Sequence, residues 1–267
     1  MLLRDGYYKD EKTGLLHCRA CGMPVQKRVE MLGRTLIPNI PCACEQKKID
    51  DFQKSQELKE KMIRIHQIKS SGLWSPGLEK YTFDADRKND IKIRVAKEYV
   101  QNWDEMKRNG IGFILHGAIG AGKTYTAACI ANALMEQGVP VMMTNFSRLL
   151  NALSGVKREH ANEYLNSINS YDLLIIDDFG TERNTSYAME QMFSVIDTRY
   201  LSGKPLIITT NLTVEEMLGT TDLGMGRLID RIMEKSPFFE IEGDSMRSRN
   251  GENAIDYVSG LFDRVRG

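Results

Sequence analysis

Gly117-Ala118-Ile119-Gly120-Ala121-Gly122-Lys123-Thr124 is the stretch from which the rest of the chain is read. It satisfies the spacing G-x-x-x-x-G-K-[ST], and its flanks supply the right context. Residues 112–116 are a short apolar run, and residues 124–135 place Ala127, Ala128, Ala131, Leu134 and Met135 at helical spacing. A strand that passes through a glycine loop into a helix N-terminus gathers backbone N–H groups into a concavity for anions. Glycine permits both the turn and the close approach of a phosphate. The motif therefore predicts a nucleoside triphosphate site built on Gly117, Ala118, Gly120, Ala121, Gly122, Lys123, Thr124 and the adjoining Tyr125. Lys123 would reach the β- and γ-phosphates, and the Thr124 hydroxyl would ligate Mg²⁺.

Beyond the loop, apolar runs at 140–145, 172–177, 205–210 and 238–241 alternate with helical periodicity. All but the last are near-continuous, as expected of strands covered by helices on both faces. With residues 112–116 they predict an α/β domain over 81–267: a five-stranded parallel sheet between helices, its ligand at the carboxyl ends of the strands. One run closes on Asp177 and Asp178. Asp177 would hold the Mg²⁺ shell and Asp178 would orient the attacking water. Asn211 closes the next run, where its amide could touch the γ-phosphate or the water, although Asn also simply starts turns. Arg227, Arg231 and Arg247 follow. Arginines are what a γ-phosphate transition state needs, in cis or from a neighbouring subunit, but taken singly each suits a solvated surface. Cys129, inside the helix after the loop, suits a small core residue.

The N-terminal segment has a different character. Cys18 and Cys21 form one close pair, and Cys42 and Cys44 a second. Two such pairs can converge on one tetrahedral Zn²⁺ through four thiolates. Gly22 and Pro41 suit the tight turns that aim the sulfurs, and the few apolar residues between the pairs could not bury a core without such a staple. His17 is a competing ligand, but four sulfurs suffice, and a Cys₄ site leaves no open position for chemistry. Residues 45–69 carry apolar positions at helical spacing, and Ser70-Ser71-Gly72 is expected to break that helix. The predicted organisation is a zinc-binding domain at 1–50, a helical linker at 51–80 and the nucleotide domain at 81–267.

Hydrophobic content of 42% and charged content of 27% describe an ordinary globular chain. The first ten residues are too polar for a signal peptide, and no run reaches membrane-spanning length, so a cytoplasmic protein with reduced or metal-bound cysteines and no membrane partner is expected. The net charge is zero but uneven: residues 1–80 hold 15 Lys and Arg against 10 Asp and Glu, the remainder 21 against 26. An acidic nucleotide domain cannot hold DNA by overall charge, so any such contact must be a local patch.

Taken in order, GAIGAGKT, DLLIIDDFG, ITTN, GRLIDRI and DSMRSR resemble the DnaC/DnaI family of bacterial and phage helicase loaders, AAA+ ATPases related to the IstB transposition ATPases. The resemblance covers roughly residues 80–250, and the cysteine-bearing N-terminus resembles the DnaI-like branch. It implies that Asn211 is sensor 1, Arg231 the arginine finger acting on a neighbouring subunit's ATP, Arg227 an accessory arginine and Arg247 sensor 2. It also implies self-association through the AAA+ domains, the replicative hexameric DNA helicase as partner and single-stranded DNA as ligand. Lys157, Arg158, Thr185 and Tyr187 are the DNA candidates, Tyr187 through base stacking or, equally, as a packed aromatic. Two departures stand out. Asp178 occupies a position where many AAA+ proteins carry Glu, which would slow hydrolysis, and little chain follows sensor 2 for a helical lid. Two other functions share these motifs: a transposition ATPase acting on target DNA, and an adaptor that binds ATP but hydrolyses little.

Overall fold

The computed structural model describes residues 6–85, 90–155, 160–181 and 185–243. The chain divides into two compact units, Met1–Ile63 and Arg64–Gly267, and the boundary falls inside one long helix.

In the first unit, β1 (Tyr7–Lys9) and β2 (Leu16–Cys18) form one antiparallel ribbon. β3 (Val29–Met31) and β4 (Arg34–Leu36) form another. The second ribbon turns at Leu32 and Gly33, both with positive φ (52° and 70°), and its strands are exposed throughout. The small core is Cys18, Val25 and Cys42, backed by Tyr7 and Leu16. So little apolar burial cannot hold a fold by itself, so the cysteines matter structurally. α1 (Ala43–Gly72) follows. It begins earlier than the apolar spacing indicated, because the Cys42 carbonyl already accepts the first helical bond, from Gln46 N–H at 2.8 Å. Its end falls within the expected break, and Gly72 has a second use there: a Cβ would meet Val141 O at 2.2 Å and Met135 Cε at 2.6 Å, so glycine also admits close packing.

The second unit continues through α2 (Ile91–Gln101) and α3 (Trp103–Asn109), β5 (Phe113–His116), α4 (Lys123–Glu136), β6 (Val141–Asn145), α5 (Phe146–Gly155) and α6 (Ala161–Ser170). Then come β7 (Leu173–Phe179), α7 (Ser186–Leu201), β8 (Leu206–Thr210), α8 (Val214–Leu218), α9 (Leu223–Met233) and β9 (Phe238–Glu240). The five strands pair in parallel, as the apolar runs predicted, and their order is β6-β7-β8-β5-β9. One core lies on each face. Ala127, Ile130, Ala131 and Leu134 of α4 pack with Leu115, Ile175 and Ile207 on one side; Phe146, Met192, Ile196, Leu228 and Ile232 pack with Ile114, Ile176 and Ile208 on the other. Arg199, 1% exposed, ties the starts of β7 and β8 by donating to the carbonyls of Tyr171, Asp172 and Pro205. At the β6 edge, Leu73 forms a parallel bridge to Met143, and Trp74 N–H donates to Met143 O at 3.0 Å.

β8 lies between β7 and β5, so the connections diverge at the carboxyl end of β5, where α/β sheets open a crevice for ligands. The glycine loop occupies that end.

Candidate nucleotide site and cysteine cluster

The loop between β5 and α4 holds Gly117, Gly120 and Gly122 at φ of 140°, 84° and 103°, values that side-chain-bearing residues rarely adopt. Ala118 and Ala121 complete the turn, with Ala121 N–H donating to Ala118 O at 3.2 Å. Lys123 opens α4, is 5% exposed, and folds its ammonium back onto the carbonyls of Gly117 (2.7 Å) and Ala118 (2.8 Å). The next residue, Thr124, donates its hydroxyl to Asp177 Oδ1 at 2.9 Å. The Tyr125 side chain turns away, its hydroxyl donating to Thr82 O at 2.7 Å and its ring 5.2 Å from that of Tyr81. What Tyr125 offers the loop is its place in the first helical turn, where backbone N–H groups point at an anion.

β7 does not run regularly to its end. Ile176 pairs with Ile208 and Phe179 with Thr210, so Asp177 and Asp178 together oppose Thr209 alone. This is a β-bulge, two residues against one. It buries Asp177 (1% exposed), leaves Asp178 exposed, and sets Asp178 at φ 55°, a conformation Asp tolerates better than most residues. The Thr209 hydroxyl donates to Asp177 Oδ1 at 2.6 Å and accepts from Asp178 N–H at 2.9 Å. Burial raises the Asp177 carboxyl above its ordinary range, and the hydroxyls of Thr209 and Thr124 pull it down only in part. A buried carboxylate touching the threonine that follows the loop lysine is a donor set for a hard divalent cation. Thr209 had no part in the sequence expectations; its only sequence signal is a threonine pair inside an otherwise apolar strand.

Asn211 is exposed and follows Thr210, which is in register with His116 just before the loop. Arg227 and Arg231 lie one turn apart on α9. Arg227 is exposed, whereas Arg231 forms an ion pair with Asp197 of α7 and lies over the rings of Phe193 (4.9 Å) and Tyr200 (5.5 Å). Arg231 is thus engaged within its own chain. Thr185 caps α7, accepting from Ala188 N–H at 3.2 Å, and Tyr187 in the first turn is 48% exposed. Lys157, Arg158 and Arg247 lie outside the described residues.

In the first unit the four sulfurs of Cys18, Cys21, Cys42 and Cys44 lie within 4.8 Å of one another. Tetrahedral thiolates at about 2.3 Å from Zn²⁺ stand about 3.8 Å apart, so the cluster is close to a metal-binding geometry. Cys21 precedes the tight turn at Gly22 (φ 71°). The second pair is built differently from the turn expected: Cys42 caps α1 and Cys44 lies in its first turn, which is why one residue separates them rather than two. The Met23 backbone N–H and then bonds from the neighbouring thiols lower the Cys21 thiol to about 6, while its bond to Cys21 and burial push Cys44 up to about 11. Four crowded sulfurs with no cation cannot all ionise, which is the difficulty a metal removes. His17 is not one of the four; its Nδ1 contacts Gly22 O at 2.9 Å.

The model of the IstB-like ATP binding protein family matches residues 49–254. The chain belongs to that family. The replicative helicase loader DnaC of Escherichia coli (strain K12) is 31% identical to it over 158 residues, covering 58% of this chain and 62% of DnaC. The putative ATP-binding protein Rv3427c, of an insertion sequence in Mycobacterium tuberculosis, is 30% identical over 147 residues, covering 52% of this chain and 57% of its own. The chain thus spans less than two thirds of either relative. The crystal structure of DnaI superposes with a TM-score of 0.54 at 22% identity, over 66% of this chain and 95% of the solved chain. This family member has the DnaC/DnaI-like AAA+ fold, and the family is ATP-binding. No helix among the described residues is long and apolar enough to cross a membrane.

Proposed function

We propose that this protein is an ATP-dependent loader that places the replicative hexameric DNA helicase on single-stranded DNA. The observation that carries this reading is the union, on one chain, of an IstB-family nucleotide site with a four-cysteine cluster leading into a 30-residue helix. The similarity to DnaC supports the same assignment. Residues 1–50 would form the helicase-gripping domain, 51–80 the linker and 81–267 the ATPase. Zn²⁺ is the ion that four thiolates suit best, and its role here is structural. Mg²⁺ would be held at Thr124 and Asp177, and it supplies charge neutralisation at the phosphates when bound.

The chain's own residues divide the remaining work. The loop glycines admit the phosphates and Lys123 moves from the Gly117 and Ala118 carbonyls to the β,γ end. Asp178, presented to solvent by the bulge, orients water, and Asn211 reports the γ-phosphate. Arg227, and Arg231 once it leaves its pair with Asp197, would reach a neighbouring subunit's site, and Arg247 would serve its own. Self-association would make turnover slow until partners complete each site. Tyr187 is exposed as a stacking residue should be, while Thr185 shapes the turn beneath it and Lys157 and Arg158 supply charge. Such a loader works in the cytoplasm.

The test is light scattering on size-exclusion fractions of the protein mixed with its host's replicative helicase, with and without ATP. A complex that is lost in Cys21→Ser supports the loader. A second reading has its own observation, the similarity to the insertion-sequence protein Rv3427c. No helicase complex, but ATP-dependent assembly on duplex DNA, would establish a transposition ATPase instead.

A further inference from the structure

Lys92 stands in the first turn of α2, 29 residues before Ala121, yet its ammonium donates to Ala121 O at 3.0 Å. It also donates to Glu242 O, just past β9, at 3.0 Å, and the side chain is 13% exposed. An ammonium has three donors. Asp90 Oδ2, at 3.6 Å, is beyond hydrogen-bond reach, so among the described residues the third N–H has no acceptor. Two carbonyls cancel none of its charge, and the Asp90 carboxylate, its ion-pair partner at 3.6 Å and 42% exposed, offsets it only in part, which leaves the third N–H open to an anion.

Its position says which anion. A Cβ built on Gly122 would come 3.7 Å from Lys92 Nζ, and one on Gly243 would come 2.9 Å from it. The ammonium therefore stands over the face that the missing side chain of Gly122 opens. Gly122 is the last glycine of the loop, and the loop backbone cradles the α- and β-phosphates. We infer that Lys92 is a second lysine of the nucleotide site, giving its third N–H to a phosphate lying over Gly122. That phosphate is common to di- and triphosphates, so Lys92 sets affinity for both and does not distinguish them. Lys123 takes the β,γ end, and Lys92 closes the opposite flank while holding Glu242 against the loop.

The inference rests on the nucleotide-site reading, and the experiment separates the two. Binding of MgATP and MgADP to the full chain is measured by calorimetry at several salt concentrations for wild type, Lys92→Gln, Lys92→Arg and Lys123→Ala. Lys92→Gln keeps a donor for the carbonyls and removes the charge; it should weaken both nucleotides by a similar factor, roughly 10- to 100-fold for a charged hydrogen bond. It should also flatten the salt dependence, and Lys92→Arg should recover most of the affinity. Unchanged affinity for Lys92→Gln overturns the inference. So does weakened binding with an unchanged salt dependence and a lower melting temperature without nucleotide, since Lys92 would then only prop the loop. Wild type that binds neither nucleotide removes the nucleotide reading itself, and this inference with it.

Discussion

Asp177 is where stability and chemistry oppose each other. Burial raises its carboxyl above the ordinary range, so the folded state favours the protonated form. Such a group contributes stability that is full below its unfolded pKa and is lost as pH rises through the folded one. Above that folded pKa the ionised carboxylate therefore destabilises the nucleotide-free protein. Asp177→Asn keeps an acceptor for both threonine hydroxyls; in that pH range it is expected to raise the melting temperature without nucleotide and to abolish Mg²⁺-dependent turnover. A lower melting temperature would contradict this account of the site. Thr209 carries the complementary prediction. Thr209→Val removes a donor from Asp177 and leaves Asp178 N–H without its partner. That should cost about 1–3 kcal/mol, read as a lower urea midpoint, and should move the pH dependence of Mg²⁺ binding upward.

Elements show how far sequence patterns reach. The strands of the five-stranded sheet were legible because burial on both faces demands apolar runs, and α4 was legible from a strong periodicity anchored by a motif. The short ribbons of the first unit, largely exposed, carry no such run and were not read. The start of α1 and the packing at its end were not legible either. Gly72 has two physical uses, stopping a helix and admitting a close neighbour, and only the position of β6 reveals the second. The same limit hid Thr209 and Lys92, whose roles depend on partners at separations of 32 and 29 residues. The bulge in β7 was equally hidden, since two adjacent acids look alike in sequence although one is buried and the other exposed. Gly72→Leu tests the packing use directly. Forcing a side chain against the Val141 carbonyl should cost about 1–3 kcal/mol, measured as a lower urea midpoint. A helix-stop role would instead predict little loss, because leucine favours helix more than glycine does.

At the scale of the molecule, the two units should respond separately to loss of metal. Strong chelation is expected to release one Zn²⁺ per chain and to make residues of the first unit protease-sensitive, while the melting of the second unit is unchanged; a single joint transition would oppose that. Subunit assembly has its own signature. A mixture of Arg231→Ala and Lys123→Ala proteins should recover partner-stimulated turnover that neither shows alone, because each supplies what the other lacks. No recovery would confine Arg231 to its pair with Asp197. The contact of Leu73 and Trp74 with Met143 carries a practical consequence. β6 ends the sheet, and an uncovered terminal strand is a template for intermolecular pairing. Those two residues act as a guard rail along it. A fragment cut at the apparent linker, beginning at 81, would lose the guard and precipitate, while one beginning at Arg64 would stay in solution.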